Sequence, residues 1–432
     1  MEYLIYLIPG LGILAYYLYG RARLAKVSRE THEEAVAAGL TEPVSLHPLI
    51  DQVQCIGCGS CVAACPESPH HTVIGLIDGK ASLVSPTSCI GHGACKTACP
   101  VGAIELVFGT ATRGVDLPRV SDTFESNVPG VYIAGELGGM GLIRNAVEQG
   151  RQAVESIVKA RPRNKAPLDL VIVGAGPAGF SASLAAKQAG LRYETLEQDS
   201  LGGCVFQYPR GKIVMTQPAT LPIVGKVRMT LTSKEELLEF WQQAEKSAGL
   251  TLRYRERVES VTRDGDVFVV KSTVGEYRAS SVLLTVGRRG TPRKLGVPGE
   301  ELPKVVYRLI EPEQYTGKRV LVIGGGDSAL EAAASVAEAG ATAVTLSYRG
   351  DAFQRAKPRN RDRVAAAEKA GILTVLLKSQ VKEIHPDRVI LKTDAGQTSL
   401  PNDDVIVNAG GVLPNEFLKS IGIQVVTKWG EL

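Results

Sequence analysis

Seven of the eight cysteines in this 432-residue chain fall into two runs. The first is Cys55-x2-Cys58-x2-Cys61-x3-Cys65, followed by Pro66. The second is Cys89-x2-His92-x2-Cys95-x3-Cys99, followed by Pro100. This is iron–sulfur spacing, in which three close thiolates hold one cluster and the fourth reaches across to the other. A zinc site needs only four ligands and rarely uses a repeated three-plus-one arrangement. The chemistry indicated is one-electron transfer through two clusters. His92 occupies a slot where a cysteine would be expected. An imidazole can ligate iron, and replacing a thiolate with it removes negative charge and raises the potential. The alternative is that His92 does not ligate and that cluster has three irons.

Two glycine turns carry a second chemistry. Gly174-Ala-Gly176-Pro-Ala-Gly179 follows the apolar run Leu168–Val173 and precedes a helical stretch to about Gln188. Gly324-Gly-Gly326-Asp-Ser-Ala329 follows Arg319–Ile323 and precedes another helical stretch. The first glycine permits the tight turn and the second admits a pyrophosphate to the backbone. The third position must be small for helix–strand packing. The helix N-terminus then faces the negative charge. One such turn is a weak signal; two, each between strand and helix, predict two dinucleotides. Glu197, 23 residues past Gly174, is placed to bind ribose hydroxyls. The second unit has Ser347-Tyr-Arg349 and then Arg355 where an acid would sit, which suits a 2′-phosphate and favours NADPH over NADH.

Such elements need several cores, and 432 residues allow about three domains. The net charge of +4 and the scattered basic residues argue against nucleic acid. The cysteine pattern indicates a reducing compartment rather than a disulfide framework. Residues 3–19 are apolar, with Arg21, Arg23, Lys26 and Arg29 following at once. That length is near the lower limit for a span of about 17 residues. The charge on its far side predicts an uncleaved inner-membrane anchor, single-pass, with the rest of the chain on the cytoplasmic side. The alternative is a buried or interfacial helix. Residues 161–165 read as a basic, exposed linker, and His70 and His71 as an exposed loop.

In order, the Gly174 turn, Thr285-Val-Gly287, Leu295-Gly-Val-Pro-Gly-Glu300 and the Gly324 turn resemble the thioredoxin-reductase-like flavoproteins. Gly202-Gly203-Cys204-Val-Phe-Gln-Tyr-Pro209 is similar to the matching loop of the bacillithiol-disulfide-reductase branch. The resemblance implies FAD at Gly174, Gly176, Gly179, Glu197 and Gly203. It implies NADP (or NAD) at Gly324, Gly326, Ala329, Arg349 and Arg355, and commonly a homodimer. The family's Cys-x-x-Cys pair is missing outside the cluster runs, and Cys204 stands alone. Its bland reading is a small residue in a flavin-side loop; the other is a reactive thiol. The family's closing FAD segment is missing after Gly411 and stands upstream instead, as Asn127-Val-Pro-Gly-Val-Tyr-Ile-Ala-Gly135-Glu136 followed by a helical stretch. The order implies a circular permutation, with Glu136 in the place of the usual aspartate.

The cysteine runs resemble a small dicluster ferredoxin. That resemblance implies Cys55, Cys58, Cys61 and Cys99 at one 4Fe-4S cluster, and Cys65, Cys89, His92 and Cys95 at the other. The expected architecture is α/β. It has two Rossmann-like dinucleotide-binding domains of thioredoxin-reductase type in permuted order, an α+β ferredoxin-like Fe-S domain and an N-terminal transmembrane helix. The expected boundaries are an anchor at 1–20, a linker at 21–48, the ferredoxin domain at 49–108 and the permuted FAD segment at 109–164. The FAD domain follows at 165–290, the NAD(P) domain at 291–408, and the chain returns to the FAD domain at 409–432. The expected activity is a membrane-anchored NAD(P)H-dependent FAD/iron–sulfur oxidoreductase passing electrons between nicotinamide, flavin and clusters, to or from an unknown donor or acceptor. The alternatives are a small-disulfide reductase using Cys204, and a non-enzymatic electron-carrier or redox-sensing subunit of a membrane complex.

Overall fold

Asp78 (φ 51°) and Gly79 (φ 77°) turn the chain between the antiparallel strands Ile74–Ile77 and Lys80–Leu83. Two successive positive φ values suit the right-handed twist of a hairpin. In this computed structural model, that hairpin and an antiparallel ribbon of His47–Ile50 with Ile104–Val107 enclose the cysteine runs. The described residues are 2–432, except 38–39, 44–45, 69–71, 90, 140, 161–165, 209, 211–212, 216–218, 228, 230–231, 289–290, 354–355 and 431–432. Side chains of 2–8, Ile213 and Thr291 are likewise not described. The expected 161–165 linker, His70, His71 and Arg355 therefore lie outside the described residues.

The N-terminal expectation requires correction. Among the described residues no helix is long and apolar enough to cross a membrane. The expected anchor, 1–20, and the first part of the expected linker lie on a single helix, Glu2–Ala37. Its basic half is bound to the cysteine module rather than being a free linker. Ser28 is fully buried, and its hydroxyl accepts the Leu76 N–H at 3.0 Å and donates to the Leu24 carbonyl at 2.6 Å. Gly75 leaves the room for Ser28: a Cβ there would stand 2.5 Å from the serine Cβ. Arg21 donates to the Gly57 carbonyl at 3.0 Å, and Arg29 pairs with Asp78 at 2.5 Å. Sequence patterning missed this docking because Ser28 and Gly75 are neither apolar nor periodic.

The flavin-type domain is a seven-stranded sheet. Leu252–Arg253, Tyr193–Leu196, Leu168–Val173 and Glu276–Leu284 run parallel in that order. The first half of Glu276–Leu284 then pairs antiparallel with Val267–Ser272. Its second half pairs parallel with Val131–Ile133, a strand from far upstream (Val282 opposite Val131, Leu284 opposite Ile133). The helix that follows, Ile143–Ala160, packs on Pro177–Gln188. A second parallel sheet has the order Val305–Val306, Asp404–Val407, Arg319–Ile323, Ala343–Ser347, Leu373–Leu376. The architecture is thus mixed α/β, with two Rossmann-like units and a small cysteine-rich α+β module. The last strand, Val425–Lys428, returns to pair antiparallel with Val115–Pro118, just after the cysteine module.

Candidate functional site

The two cysteine runs fold into near-identical loops, Cys-Ile-Gly-Cys-Gly-Ser-Cys and Cys-Ile-Gly-His-Gly-Ala-Cys. Positive φ at Gly57 (66°) and Gly59 (82°) is repeated at Gly91 (72°) and Gly93 (82°). These conformations favour glycine and curl each loop around a cavity. One cavity, of about 300 Å³, is lined by Cys55, Cys58, Cys61 and Cys99. The other, of about 360 Å³, is lined by Cys65, Cys89, His92 and Cys95. The fourth cysteine of each run therefore faces the other run's loop. Among the described residues no three His, Cys, Asp or Glu side chains converge as a single-ion site.

The local chemistry fits clusters. Both ring nitrogens of His92 are buried without a hydrogen-bond partner, an expensive state for an imidazole unless a metal takes one of them. Burial pushes the Cys61 and Cys89 thiols up to about 11, and raises Cys95 as well. Thiolates there need a compensating positive charge, which iron provides. Backbone amides already point at sulfur: Ala81 N–H at Cys55 (3.4 Å) and Ala103 N–H at Cys99 (3.2 Å). Cys58 is exposed, and its hydrogen bonding with Ser60 lowers its pKa.

The first glycine turn has the open backbone that a pyrophosphate needs. Gly174 (φ 104°) lies against the Thr285 carbonyl, where a Cβ would stand 2.9 Å from the oxygen. Gly176 faces open space, with Gly202 O the nearest atom at 4.0 Å from a Cβ. Gly203 approaches it from the neighbouring turn, its Cβ position 3.3 Å from Gly176 Cα. Pro177–Gln188 starts there with no side chain capping its N-terminus, leaving its first N–H groups for an anion. Glu197 is buried and holds this turn. Its carboxylate accepts the Ala175 N–H at 2.7 Å and the Asp199 N–H at 2.9 Å. Burial pushes its pKa up, against the opposing pull of those amides.

As pH falls, Glu197 therefore takes up a proton before an ordinary glutamate does. Protonation turns one acceptor oxygen into a donor and weakens the hold on the turn. FAD affinity is expected to fall as pH drops through the window above the ordinary glutamate range, and Glu197→Gln to lack this dependence. Fluorescence titration of apoprotein with FAD measures it; identical pH profiles for the two proteins would exclude the role. The folded state binds the extra proton in this window, so this group raises folding stability as pH falls. Global unfolding by Glu197 cannot account for the loss.

The upstream segment reaches the same place. Gly135 (φ 83°) abuts Ala178, and its N–H donates to Gln149 Oε1 at 2.8 Å. Glu136 begins the short turn Glu136–Gly138 and is half-buried. Arg288 was not singled out from the sequence. It is half-buried, donates to the Asp116 carbonyl at 3.3 Å, and has Glu136 and Asp116 as its charged neighbours. Its signal was its place directly after Thr285-Val-Gly287. Cys204 sits in the Gly203–Val205 turn beside the cradle.

The nicotinamide-type turn repeats the design. Gly324 (φ 143°) packs on Asn408, Gly326 faces open space, and Ala329 is fully buried. The helix Asp327–Glu338 starts without a side-chain cap. Asp327 accepts from Lys357 N–H (2.7 Å) and Asn360 (2.9 Å), and the Tyr348 ring, stacked on Phe353, covers Gly325. Arg349 is exposed at the end of Ala343–Ser347. Arg361, also missed from sequence, brings a buried Nη1 with no partner near Asp327.

Each part matches a known family. Residues 171–431 match the pyridine nucleotide-disulphide oxidoreductase family, and residues 47–100 match the 4Fe-4S dicluster domain. A ferredoxin–NADP reductase of Ignicoccus hospitalis is 31% identical over 60% of this chain and 82% of its own length. The bacilliredoxin reductase Bdr of Bacillus subtilis is 27% identical over 60% and 82%. The solved bacillithiol disulfide reductase Bdr of Staphylococcus aureus matches with a TM-score of 0.54 and 27% identity, over 60% of this chain and 80% of that one. With its two dinucleotide cradles and its cysteine module, the chain belongs to the pyridine nucleotide-disulphide oxidoreductases, a flavin-dependent enzyme with a 4Fe-4S dicluster domain joined upstream.

Proposed function

We propose that this protein is an NADPH-dependent oxidoreductase that moves electrons between nicotinamide, FAD and two 4Fe-4S clusters, exchanging them with an external one-electron partner. The observation that carries the reading is the four-and-four division of the eight ligand residues between two cavities, in a module whose last strand runs directly into the flavin segment. Bound FAD accepts a hydride as an electron pair and releases electrons singly, which is why a nicotinamide site and clusters share a chain. The protein's own part is positioning. Gly176 and Gly326 open the cradles, Glu197 holds the first turn, and Arg349 and Arg355 recognise a 2′-phosphate. Direct attachment keeps clusters and flavin at high effective concentration. The related ferredoxin–NADP reductases support electron exchange with a one-electron protein partner, in either direction.

We place the protein at the cytoplasmic face of the inner membrane, as a homodimer. Exposed Leu11, Ile13, Tyr16 and Tyr19, followed by Arg21, Arg23 and Lys26, support attachment to a lipid surface; a crossing is not proposed. Anaerobic protein is expected to contain iron, sulfide and FAD, and NADPH is expected to reduce flavin and clusters faster than NADH. Flavin bleaching with the clusters left oxidised would sink the reading.

A second reading rests on Cys204, which lies beside the FAD cradle in a chain similar to two Bdr reductases. A small-disulfide reductase working through this thiol would lose disulfide turnover in Cys204→Ser while keeping artificial-acceptor activity. On the leading reading both activities of Cys204→Ser stay within about twofold of wild type, below the ~0.4 kcal/mol that such a ratio represents.

A further inference from the structure

One face of one strand runs from one cysteine cavity past the other to the turn that follows Glu136. Ile104, Leu106 and Phe108 alternate along Ile104–Val107 and its next residue, so they share a face. Ile104 lines the cavity of Cys55, Cys58, Cys61 and Cys99. Leu106 lines the cavity of Cys65, Cys89, His92 and Cys95, and its Cδ1 stands 3.3 Å from a Cβ position on Gly93. The Phe108 ring lies against Gly139, at the end of the Glu136–Gly138 turn, with Cζ 2.6 Å from a Cβ position there. The whole sequence spans about 13 Å at strand rise. The partner strand agrees: Pro48, opposite Leu106, lines the His92 cavity, while Ile50 opposes Ile104.

The joint is fixed. Leu117 also packs on Gly139, and Gly430 N–H donates to the Phe108 carbonyl at 2.9 Å. Val425–Lys428 straps across Val115–Pro118. At the far end, the Cys55 loop opens outward: Cys58 is exposed, with Ile56 63% and Val53 90% exposed beside it.

We propose that the two cluster sites work in a fixed order, with the His92 site next to the flavin and the all-cysteine site as the port to the external partner. This rests on the reading that the clusters are wired to the flavin. A hydride from NADPH would bring bound FAD two electrons and one proton, leaving NADP+. The two electrons would leave singly, the one proton passing to solvent, through the site held by Cys65, Cys89, His92 and Cys95, then the site held by Cys55, Cys58, Cys61 and Cys99, to two equivalents of a one-electron acceptor. The histidine becomes a gate: its neutral ring keeps the first receiving site at the higher potential.

The test uses His92→Cys in the full-length, cluster-loaded protein. This variant restores four thiolates, so the site still assembles, and it lowers the potential of its own cluster. After rapid mixing with NADPH, freeze-quench EPR should show the His92-site signal rising before the all-cysteine signal. In His92→Cys that site should still be reduced first, while its share of the electrons in partly reduced protein falls, tenfold for each ~59 mV by which its potential drops. An all-cysteine signal that rises first in either protein, or an electron distribution unchanged in His92→Cys, overturns the proposal. If dithionite reduces both wild-type clusters and NADPH reduces neither, the wired reading itself fails, and the order with it.

Discussion

Gly179→Ala is expected to yield protein that holds its clusters but not FAD. The added methyl would fall on the Gly174 carbonyl oxygen and stand 2.7 Å from Thr285 Oγ1. Neither neighbour can retreat. The Thr285 hydroxyl donates to the carbonyls of Val173 (2.8 Å) and Gly174 (2.9 Å), and its own N–H is held by Val173 O at 2.9 Å. Overpacking of this kind costs roughly 1–3 kcal/mol, and a backbone clash belongs at the upper end. The helix start must swing away from the strand, so the Gly176 cradle opens and FAD affinity falls by well over tenfold (about 1.4 kcal/mol). Ala329 provides the contrast, because the nicotinamide-type turn accommodates a methyl at the same third position, fully buried. Ala329→Gly should therefore retain NADPH binding within a few-fold. Flavin released on denaturation and thermal melting measure the first effect. Normal flavin content in Gly179→Ala would refute the packing argument.

What the sequence revealed and what it hid divide along a physical line. Both cysteine runs and both glycine turns were legible because their chemistry demands fixed residue types at fixed local spacing, whereas the hold of Glu197 on the Ala175 and Asp199 amides was not part of its sequence reading. The Asp78-Gly79 turn is likewise a local pair of residue types that favour positive φ. Long-range contacts between bland residues were not. The docking of Ser28 at Gly75 joins residues 47 positions apart through one hydroxyl and one missing side chain. The pairing of His47–Ile50 with Ile104–Val107 starts inside what reads as linker. Arg288 gains its neighbours Glu136 and Asp116 only when the upstream segment folds onto the crossover. The apolar N-terminus misled for a different reason. Apolar length alone does not establish a crossing, and the helix runs on past the apolar stretch through Arg21, Ser28 and Arg29, which contact the cysteine module.

The order of segments gives the second large effect, at a residue no motif marks. Gly150 lies inside the helix Ile143–Ala160, upstream of the stretch that matches the oxidoreductase family. Helix propensity alone predicts that Gly150→Ala stabilises the protein by about 1 kcal/mol. The packing predicts the reverse sign. A methyl at this position would overlap the Ala178 carbonyl oxygen and stand 2.9 Å from its carbon and 3.1 Å from its Cα. Ala178 belongs to the first turn of Pro177–Gln188, between Gly176 and Gly179, so a shift there is transmitted to the FAD cradle. An overpacking cost near 3 kcal/mol outweighs the propensity gain, leaving a net loss of about 2 kcal/mol. Gly150→Ala is thus expected to lower the melting temperature of the flavin unit and its FAD content together. Iron and sulfide should be unchanged, because the cysteine module has its own core of Val73, Ile74, Leu76, Ala81 and Ile104. Lys159→Ala, an exposed change in the same helix, should leave both as in wild type. A more stable Gly150→Ala protein with full flavin would show that the upstream helix is an appendage, and that the flavin site is complete without it.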